Sequence, residues 1–157
     1  LEGEIMADVP VKTLTMQAIG TALATITAFE SVNRWRNAPV DLDNKLLPCL
    51  FFYELLEIPT PRNRLMMNEL RLIVDIYVDV PSYGYEDFTD DMDVLQAEVH
   101  NSMFSIINKD TLKGLVLECQ QGPVRKEQAN DIIGLLRMEF FVTYGHNMGN
   151  AFSRVNY

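Results

Sequence analysis

ELRLIVDIYVDVP, at residues 69–81, is the stretch that decides the fold. The even-numbered positions of this stretch are all aliphatic: Leu70, Leu72, Val74, Ile76, Val78 and Val80. The odd-numbered positions before the proline are mostly polar: Glu69, Arg71, Ile73, Asp75, Tyr77 and Asp79. Side chains of a strand alternate between its two faces, so this pattern predicts a long strand with one buried face. Pro81 ends the strand, because proline offers no N–H to a ladder.

Other stretches predict strands that pair with this one. Residues 46–56, LLPCLFFYELL, form a continuous apolar run rich in aromatic residues and predict a central strand. Residues 58–64 contain two prolines and are expected to form a turn or loop, which makes an antiparallel hairpin with residues 69–81. Residues 132–144 alternate again and predict the second long strand. Shorter elements are expected as strands at residues 31–36 and 115–119 and as a turn at residues 120–123.

Two helices are predicted from apolar spacings of three and four residues. The first, at residues 11–27, has a stripe of small and aliphatic side chains: Ala18, Ile19, Ala22, Leu23 and Ile26. The second begins at Thr89 or Asp90 and ends near Asn108, and its stripe is Met92, Leu95, Val99, Met103 and Ile106. Three aspartates would then lie in its first turn, where negative charge meets the positive end of the helix dipole: Asp90, Asp91 and Asp93. We interpret them as helix-capping residues rather than as a metal site, because the spacing lacks the glycine and glutamate of a calcium loop.

The order of these elements predicts the fold class. Strands outnumber helices and are joined by hairpins, which is typical of an α+β domain. We expect a single domain at residues 11–144, built from one mainly antiparallel sheet of four to five strands with two helices packed on one face. Residues 1–10 are expected to be a flexible N-terminal arm or, with Met6 as the natural start, in part a remnant of expression. Residues 145–157 are expected to form a C-terminal arm.

Composition and charge narrow the range of possible protein classes. The chain has 157 residues, 48% of them apolar and 22% charged, which is usual for one globular core. Its net charge of −9 disfavours a sequence-reading DNA-binding domain, because DNA affinity depends on cationic contacts. Cys49 and Cys119 lie in apolar runs and are expected to be buried, reduced thiols. Neither a membrane helix nor a signal peptide is predicted.

No arrangement of residues predicts catalysis, a cofactor or a metal site. His100 and His146 have no metal-binding spacing to each other or to a cysteine. Glu118 and Glu139, with Arg137 nearby, could in principle act as an acid and a base, but charges on the solvent face of strands explain them better. We therefore expect that the protein is not an enzyme.

The order and spacing of several motifs resemble one known family. A first helix leads to Phe29-Glu30-Ser31-Val32 and the basic Arg34-Trp35-Arg36, and Leu47-Pro48-Cys49-Leu50 then opens a strand. A charged loop with Arg62 and Arg64 and the long aliphatic strand follow, and the helix contains Leu95-Gln96-Ala97-Glu98-Val99. The closing strand, at residues 136–144, carries the family's F-x-V-x-Y pattern. The chain thus resembles the tail terminator proteins of long-tailed bacteriophages (siphophages), also called minor tail protein U or tail completion proteins.

The resemblance implies a structural virion protein and not a catalyst. Such proteins form a homo-oligomeric, hexameric ring at the head-proximal end of the tail tube, where the ring ends tube polymerisation and offers a surface for head attachment. The implied partners are the tail tube protein and the head-completion or connector proteins, with DNA only as passing cargo and no membrane. The implied location is the neck of the virion, and the host cytoplasm during assembly. Interface residues are expected to be Arg34, Trp35, Arg36, Arg62, Arg64, Tyr83, Tyr85, Phe152 and Tyr157.

Two other classes of function stay open from the residues alone. One is a head–tail connector or another neck protein of related fold. The other is a small cytosolic ligand-binding domain or enzyme, for which a monomer with a deep polar pocket would be expected.

Overall fold

The computed structural model describes residues 9–34, 46–80, 85–108, 116–128 and 132–154. Within these residues the protein is an α+β structure with two helices and a six-stranded, mostly antiparallel sheet. The elements in chain order are α1 (Val11–Ala24), β1 (Ser31–Arg34), β2 (Cys49–Arg62), β3 (Leu65–Asp79), α2 (Tyr85–Asn108), β4 (Glu118–Gln128), β5 (Ile133–Asn147) and β6 (Asn150–Arg154). Neither helix in this part of the chain is long and apolar enough to span a membrane.

β3 is the centre of the sheet. The strand order is β1-β2-β3-β5-β4, with β6 paired to β5, and only β1 and β2 run parallel to each other. The expectation of four to five strands is therefore wrong, because the sheet has six. Residues 46–56 were expected to form a central strand, but β2 lies beside the short β1 and is second from the edge.

The apolar face predicted for β3 is buried. Leu70, Leu72, Val74 and Ile76 are each 0% exposed, and β3 begins four residues before the predicted strand. The expectation that only one face of this strand is buried is wrong in part. Ile73 and Asp75, on the opposite face, are only 2% and 3% exposed. A strand with paired neighbours on both sides can be buried on both faces, because long side chains of the neighbouring strands cover its shorter side chains.

One hydrophobic cluster joins the helices to the sheet. Alternate side chains of β3 from Leu70 to Val78 and of β5 from Leu136 to Tyr144 belong to it, as do Leu50 and Phe52 of β2. The helices contribute residues of their predicted stripes to the same cluster: Ala18, Ile19, Ala22, Leu23 and Ile26 from α1 and the segment after it, and Met92, Leu95, Val99 and Met103 from α2. The side chain of Ile106, the last residue of the second stripe, lies outside the described residues. Burial of this much aliphatic surface is the main favourable term for the fold, at about 25 cal/mol per Å².

The hairpin between β2 and β3 is longer than predicted. Residues 58–64 were expected to be a loop, but both strands continue through them and only Asn63 and Arg64 form the turn. Asn63 has a φ of 57°, a left-handed conformation that asparagine tolerates. Pro59 and Pro61 pair with Asn68 and Met66 on the side of β2 that has a neighbour. Past Phe52 the other side of β2 has no partner strand in the described part of the sheet and is therefore an edge. Proline is tolerated in such an edge strand.

The other differences also lengthen predicted elements. The helix α2 begins at Tyr85 and not at the predicted Thr89 or Asp90, so Asp90 is the sixth residue of the helix. The interpretation of the aspartates as first-turn capping residues is therefore wrong. The turn expected at residues 120–123 is a bulge within β4, where the register shifts between Gln121 and Val124. Asn150–Arg154, in the expected C-terminal arm, forms β6 after a turn in which Gly149 has a φ of 77°.

Gly122, at the bulge of β4, should not tolerate a side chain. A Cβ placed there would lie 2.8 Å from Phe141 Cε2 and 3.3 Å from Glu139 Cβ, so the ring and the strand would have to move. We expect Gly122→Ala to lower the free energy of unfolding in urea by about 1–2 kcal/mol. In a Phe141→Leu background the same change should cost clearly less, because the ring is gone; an equal cost in both backgrounds would contradict the contact.

Candidate interface at the hairpin end of the sheet

Two hairpin turns meet at one end of the sheet, and we call this region the hairpin end (residues 56–67 and 146–152). The backbone N–H of Met148 donates to the carbonyl oxygen of Arg64 at 2.8 Å. In the adjoining strands, Leu65 of β3 pairs with Asn147 of β5. The hairpin end is therefore a continuation of the sheet, formed by parts of β2, β3, β5 and β6, rather than an isolated loop.

A β-bulge in β2 sets which side chains face α1 at the base of the hairpin end. The register shifts between Glu54 and Leu56, so that Glu54 pairs with Leu72 and Glu57 pairs with Leu70. Both leucines are in the buried core, and directly paired residues share a face. The extra residue therefore places Glu54 and Glu57, three positions apart, on the same face. Strict alternation would have put them on opposite faces.

Lys12, in the first turn of α1, binds both of these glutamates. Its Nζ lies 2.7 Å from Glu54 Oε2 and 2.7 Å from Glu57 Oε2, and the hydroxyl of Tyr144 donates to Glu57 Oε1. Burial alone would lower the pKa of Lys12, but its bonds to the two glutamates raise that pKa overall. Burial alone would raise the pKa of Glu57, but the bonds from Lys12 and Tyr144 lower it overall. This cluster ties α1 to the point where β2 enters the hairpin end.

An exposed groove lies on the opposite face of the hairpin end. It is lined by residues of β2, β3 and β5, namely Ile58, Thr60, Arg62, Met67, Glu69 and Thr143, and encloses about 190 Å³. Leu55, Leu56 and Ile58 along β2 are 57%, 49% and 49% exposed. Exposed aliphatic side chains next to arginine are typical of protein–protein contact surfaces.

Three of the predicted interface residues lie within the hairpin end. Arg62 and Arg64 are exposed at the β2–β3 turn, and Phe152, 49% exposed, lies on β6, which pairs with β5. Arg34 lies elsewhere, at the end of β1, where a guanidinium nitrogen is 3.6 Å from Glu54. The remaining predicted positions lie outside the described residues: Trp35, Arg36, Tyr83, Tyr157 and the side chain of Tyr85.

The exposed aliphatic residues of β2 were not predicted from the sequence, nor was Met148, which is 45% exposed. Leu55 and Leu56 end the continuous apolar run of residues 46–56, which predicts a central strand. Two consecutive leucines directly after Glu54 were the available signal, since neighbouring strand residues face opposite ways and cannot both enter one core.

The groove face of the sheet also carries a buried ion pair at its centre. Arg137 Nε and Nη2 donate to Asp75 at 2.7 and 2.9 Å, and the Tyr53 hydroxyl donates to Asp75 Oδ2 at 3.1 Å. The bond to Asp75 raises the pKa of Arg137, while burial and the nearby Asp75 charge raise the pKa of Tyr53 to about 12. These cross-strand contacts fix β2, β3 and β5 against one another.

The two glutamates considered for acid–base chemistry are bound by other residues. Both Nε and Nη2 of Arg71 donate to Glu139 Oε2, at 3.0 and 2.8 Å, so Glu139 pairs with Arg71 and not with Arg137. Glu118 accepts a hydrogen bond from the Gln120 side chain. Among the described residues no three His, Cys, Asp or Glu side chains are placed to hold a metal.

Both cysteines are buried thiols outside any disulfide, which confirms that prediction. Burial raises the pKa of the Cys119 thiol to about 11. A thiol with such a raised pKa carries little thiolate near neutral pH and is a poor nucleophile.

A second cleft lies between α2 and β4. It encloses about 300 Å³ and is lined by Asp93, Gln96, Ala97, His100, Asn101 and Gln121. His100 Nδ1 is hydrogen-bonded to Gln121 Oε1, and Lys126 binds Asp93, so these contacts connect the helix to the strand.

Comparisons with known proteins give no family assignment: no protein-family model matches the chain, and no curated protein matches it significantly. The functional interpretation therefore depends on the geometry described above.

The buried ion pair should contribute far more to stability than a surface pair. Asp75 has a side chain only 4% exposed, so Asp75→Asn leaves the Arg137 guanidinium without its carboxylate, and we expect a loss of about 2–3 kcal/mol of unfolding free energy. Glu127→Gln breaks an exposed pair with Arg125 and serves as the matched control, with an expected loss of about 0.5 kcal/mol or less. Equal losses in urea unfolding would show that the Asp75 pair is not the stronger one.

Glu57 should make stability depend on pH in the acid range. Because its pKa is lower in the folded chain than its ordinary value of 4.5, its contribution is present above that value and disappears as the pH falls through the folded value. We expect the wild-type chain to lose about 1 kcal/mol more than Glu57→Gln between about pH 7 and about pH 3. The exposed Glu98→Gln should follow the wild type, and parallel pH profiles for wild type and Glu57→Gln would contradict the cluster.

Proposed function

We propose that this chain is a phage tail terminator, a structural protein that forms a ring at the head-proximal end of the tail tube and stops tube growth. The observation that carries the proposal is the hairpin end, where the end of the sheet carries exposed aliphatic and arginine side chains. The order of helix, short strand, long hairpin, helix and long strand agrees with the motif order on which the resemblance depends.

The arrangement of the sheet supports self-assembly. We infer that both helices cover one face of the sheet, since both contribute to the same cluster as the alternate residues Leu70 to Val78 of β3 and Leu136 to Tyr144 of β5. The strand edges would then be available to neighbours: β4 pairs only with β5, and β2 past Phe52 pairs only with β3, among the described residues. A ring requires head-to-tail contacts that close, and open strand edges can take part in such contacts.

The proposed ring has two faces and a channel. One face binds the last layer of the tail tube protein, and the other binds the head-completion or connector proteins. DNA passes through the ring without being bound, because a chain with a net charge of −9 repels phosphate over most of its surface. The protein would act at the neck of the virion and assemble in the host cytoplasm.

The test is electron microscopy of the purified chain mixed with polymerising tail tube protein from the same phage. We expect closed rings, tubes of limited length, and a ring at one end of each tube. Ile58→Asp, at an exposed position that does not contribute to the core, should reduce tube capping, whereas the exposed Glu127→Gln should not. A chain that stays monomeric while tubes grow without limit would contradict the proposal.

The same experiment separates the neighbouring class of function. Rings that bind head connector assemblies but not tail tubes would identify a connector or neck protein instead.

A further inference from the structure

We propose that the hairpin end of one copy docks on the exposed side of α2 in the next copy. The inference depends on the proposed ring and names the two surfaces that form its subunit contact. It follows from the charges and apolar side chains that each surface displays.

The hairpin end is a basic and apolar surface on an acidic protein. Arg62 and Arg64 are exposed and form no ion pair within the described part of the chain. Ile58, 49% exposed, lines the groove beside Arg62. With a net charge of −9 on the whole chain, two adjacent unpaired arginines are an exception that a negatively charged partner surface would explain.

The exposed side of α2 has the complementary character. Asp90, Asp91, Val94 and Glu98 are exposed. Val94 lies four and three positions after the two aspartates, and Glu98 lies four positions after Val94, so the four residues form one stripe. Met92, Leu95 and Val99 on the opposite side of the helix are buried in the core. Val94 is 59% exposed in the middle of this acidic stripe, which gives it the same combination of charge and aliphatic surface as the hairpin end.

The position of the aspartates needs an explanation that the helix itself does not supply. Negative charge favours a helix N-terminus only within the first turn. Asp90 and Asp91 are the sixth and seventh residues of α2 and lie beyond that turn, and Glu98 is further along still. None of these three carboxylates forms an ion pair with another described residue, whereas Asp93 is bound by Lys126.

A second pair of opposite charges fits the same contact. Glu69 lies in the groove of the hairpin end, and Lys126 lies beside α2 through its bond to Asp93. Arginines facing aspartates, Ile58 facing Val94, and Glu69 facing Lys126 would match in sign and in apolar character. In the proposed contact each copy uses its hairpin end toward one neighbour and its α2 stripe toward the other, so the contact is head-to-tail and can repeat around a ring.

Charge reversal tests the contact directly. Arg62→Glu with Arg64→Glu, or Asp90→Lys with Asp91→Lys, should each weaken self-association at least about 10-fold, because like charges would face each other. Sedimentation velocity at low and high salt measures the effect, and salt should also weaken the wild-type contact. Glu30→Lys with Asp79→Lys makes the same change in net charge as the aspartate variant, at exposed positions elsewhere, and should leave association unchanged.

Recombination of the variants distinguishes a mutual contact from two separate effects. In an equimolar mixture the two intact surfaces can meet, and the two reversed surfaces are again opposite in charge, so the mixture should assemble as alternating copies. A chain that carries all four substitutions should also assemble. If either variant alone associates as strongly as the wild-type chain, or if the mixture fails to assemble, the inference is overturned. Rings of the Arg62→Glu, Arg64→Glu variant that no longer cap tubes would also overturn it, because the hairpin end would then face the tube. Rings that depend on this contact but never cap tubes would leave the inference standing and refute the tail terminator function.

Discussion

β3 is paired with β5 at every residue from Leu65 to Asp79, and with β2 from Leu65 to Tyr77. This double pairing is the constraint on which the rest of the structure depends. A slip of one residue in either ladder would move the aliphatic side chains of β3 out of the core and its charged side chains into it. The register therefore determines both the core under the helices and the ion pairs on the other face.

The two faces of β3 have different roles in the same constraint. The face with Leu72 and Val74 supplies hydrophobic burial, which has little directional preference. The face with Asp75 supplies a bidentate bond to Arg137. Because Arg137 lies directly opposite Asp75 in the ladder between β3 and β5, this bond forms only in the observed register. In the neighbouring strand β2 the alternation of side chains changes at the bulge after Glu54, and Lys12 therefore binds two carboxylates instead of one. The hairpin end is in this way attached to α1 although its outer surface is exposed.

The alternation of residues 69–81 and 132–144 was enough to predict both long strands, and the stripes of Leu23 and Val99 were enough to predict the helices. The limits of the hairpin were not predictable in this way, since Pro59 and Pro61 are common in loops and are tolerated in a strand only at an edge. β4 was predicted too short because residues 125–128 are polar at every position, and a fully exposed edge strand has no apolar alternation. The Asp75–Arg137 pair joins residues 62 positions apart, so it depends on a register that the sequence pattern does not specify.

The central claim is that the sheet is already ordered through the hairpin end before any partner binds, so that the exposed side chains there are presented in a fixed arrangement. Hydrogen–deuterium exchange of the monomeric chain, at a concentration below assembly, tests this most directly. The account predicts slow exchange for the β3 amides of residues 65–70, comparable to that of residues 72–76 in the centre of the strand. Fast exchange at residues 65–70, with protection only from residue 72 onward, would contradict it.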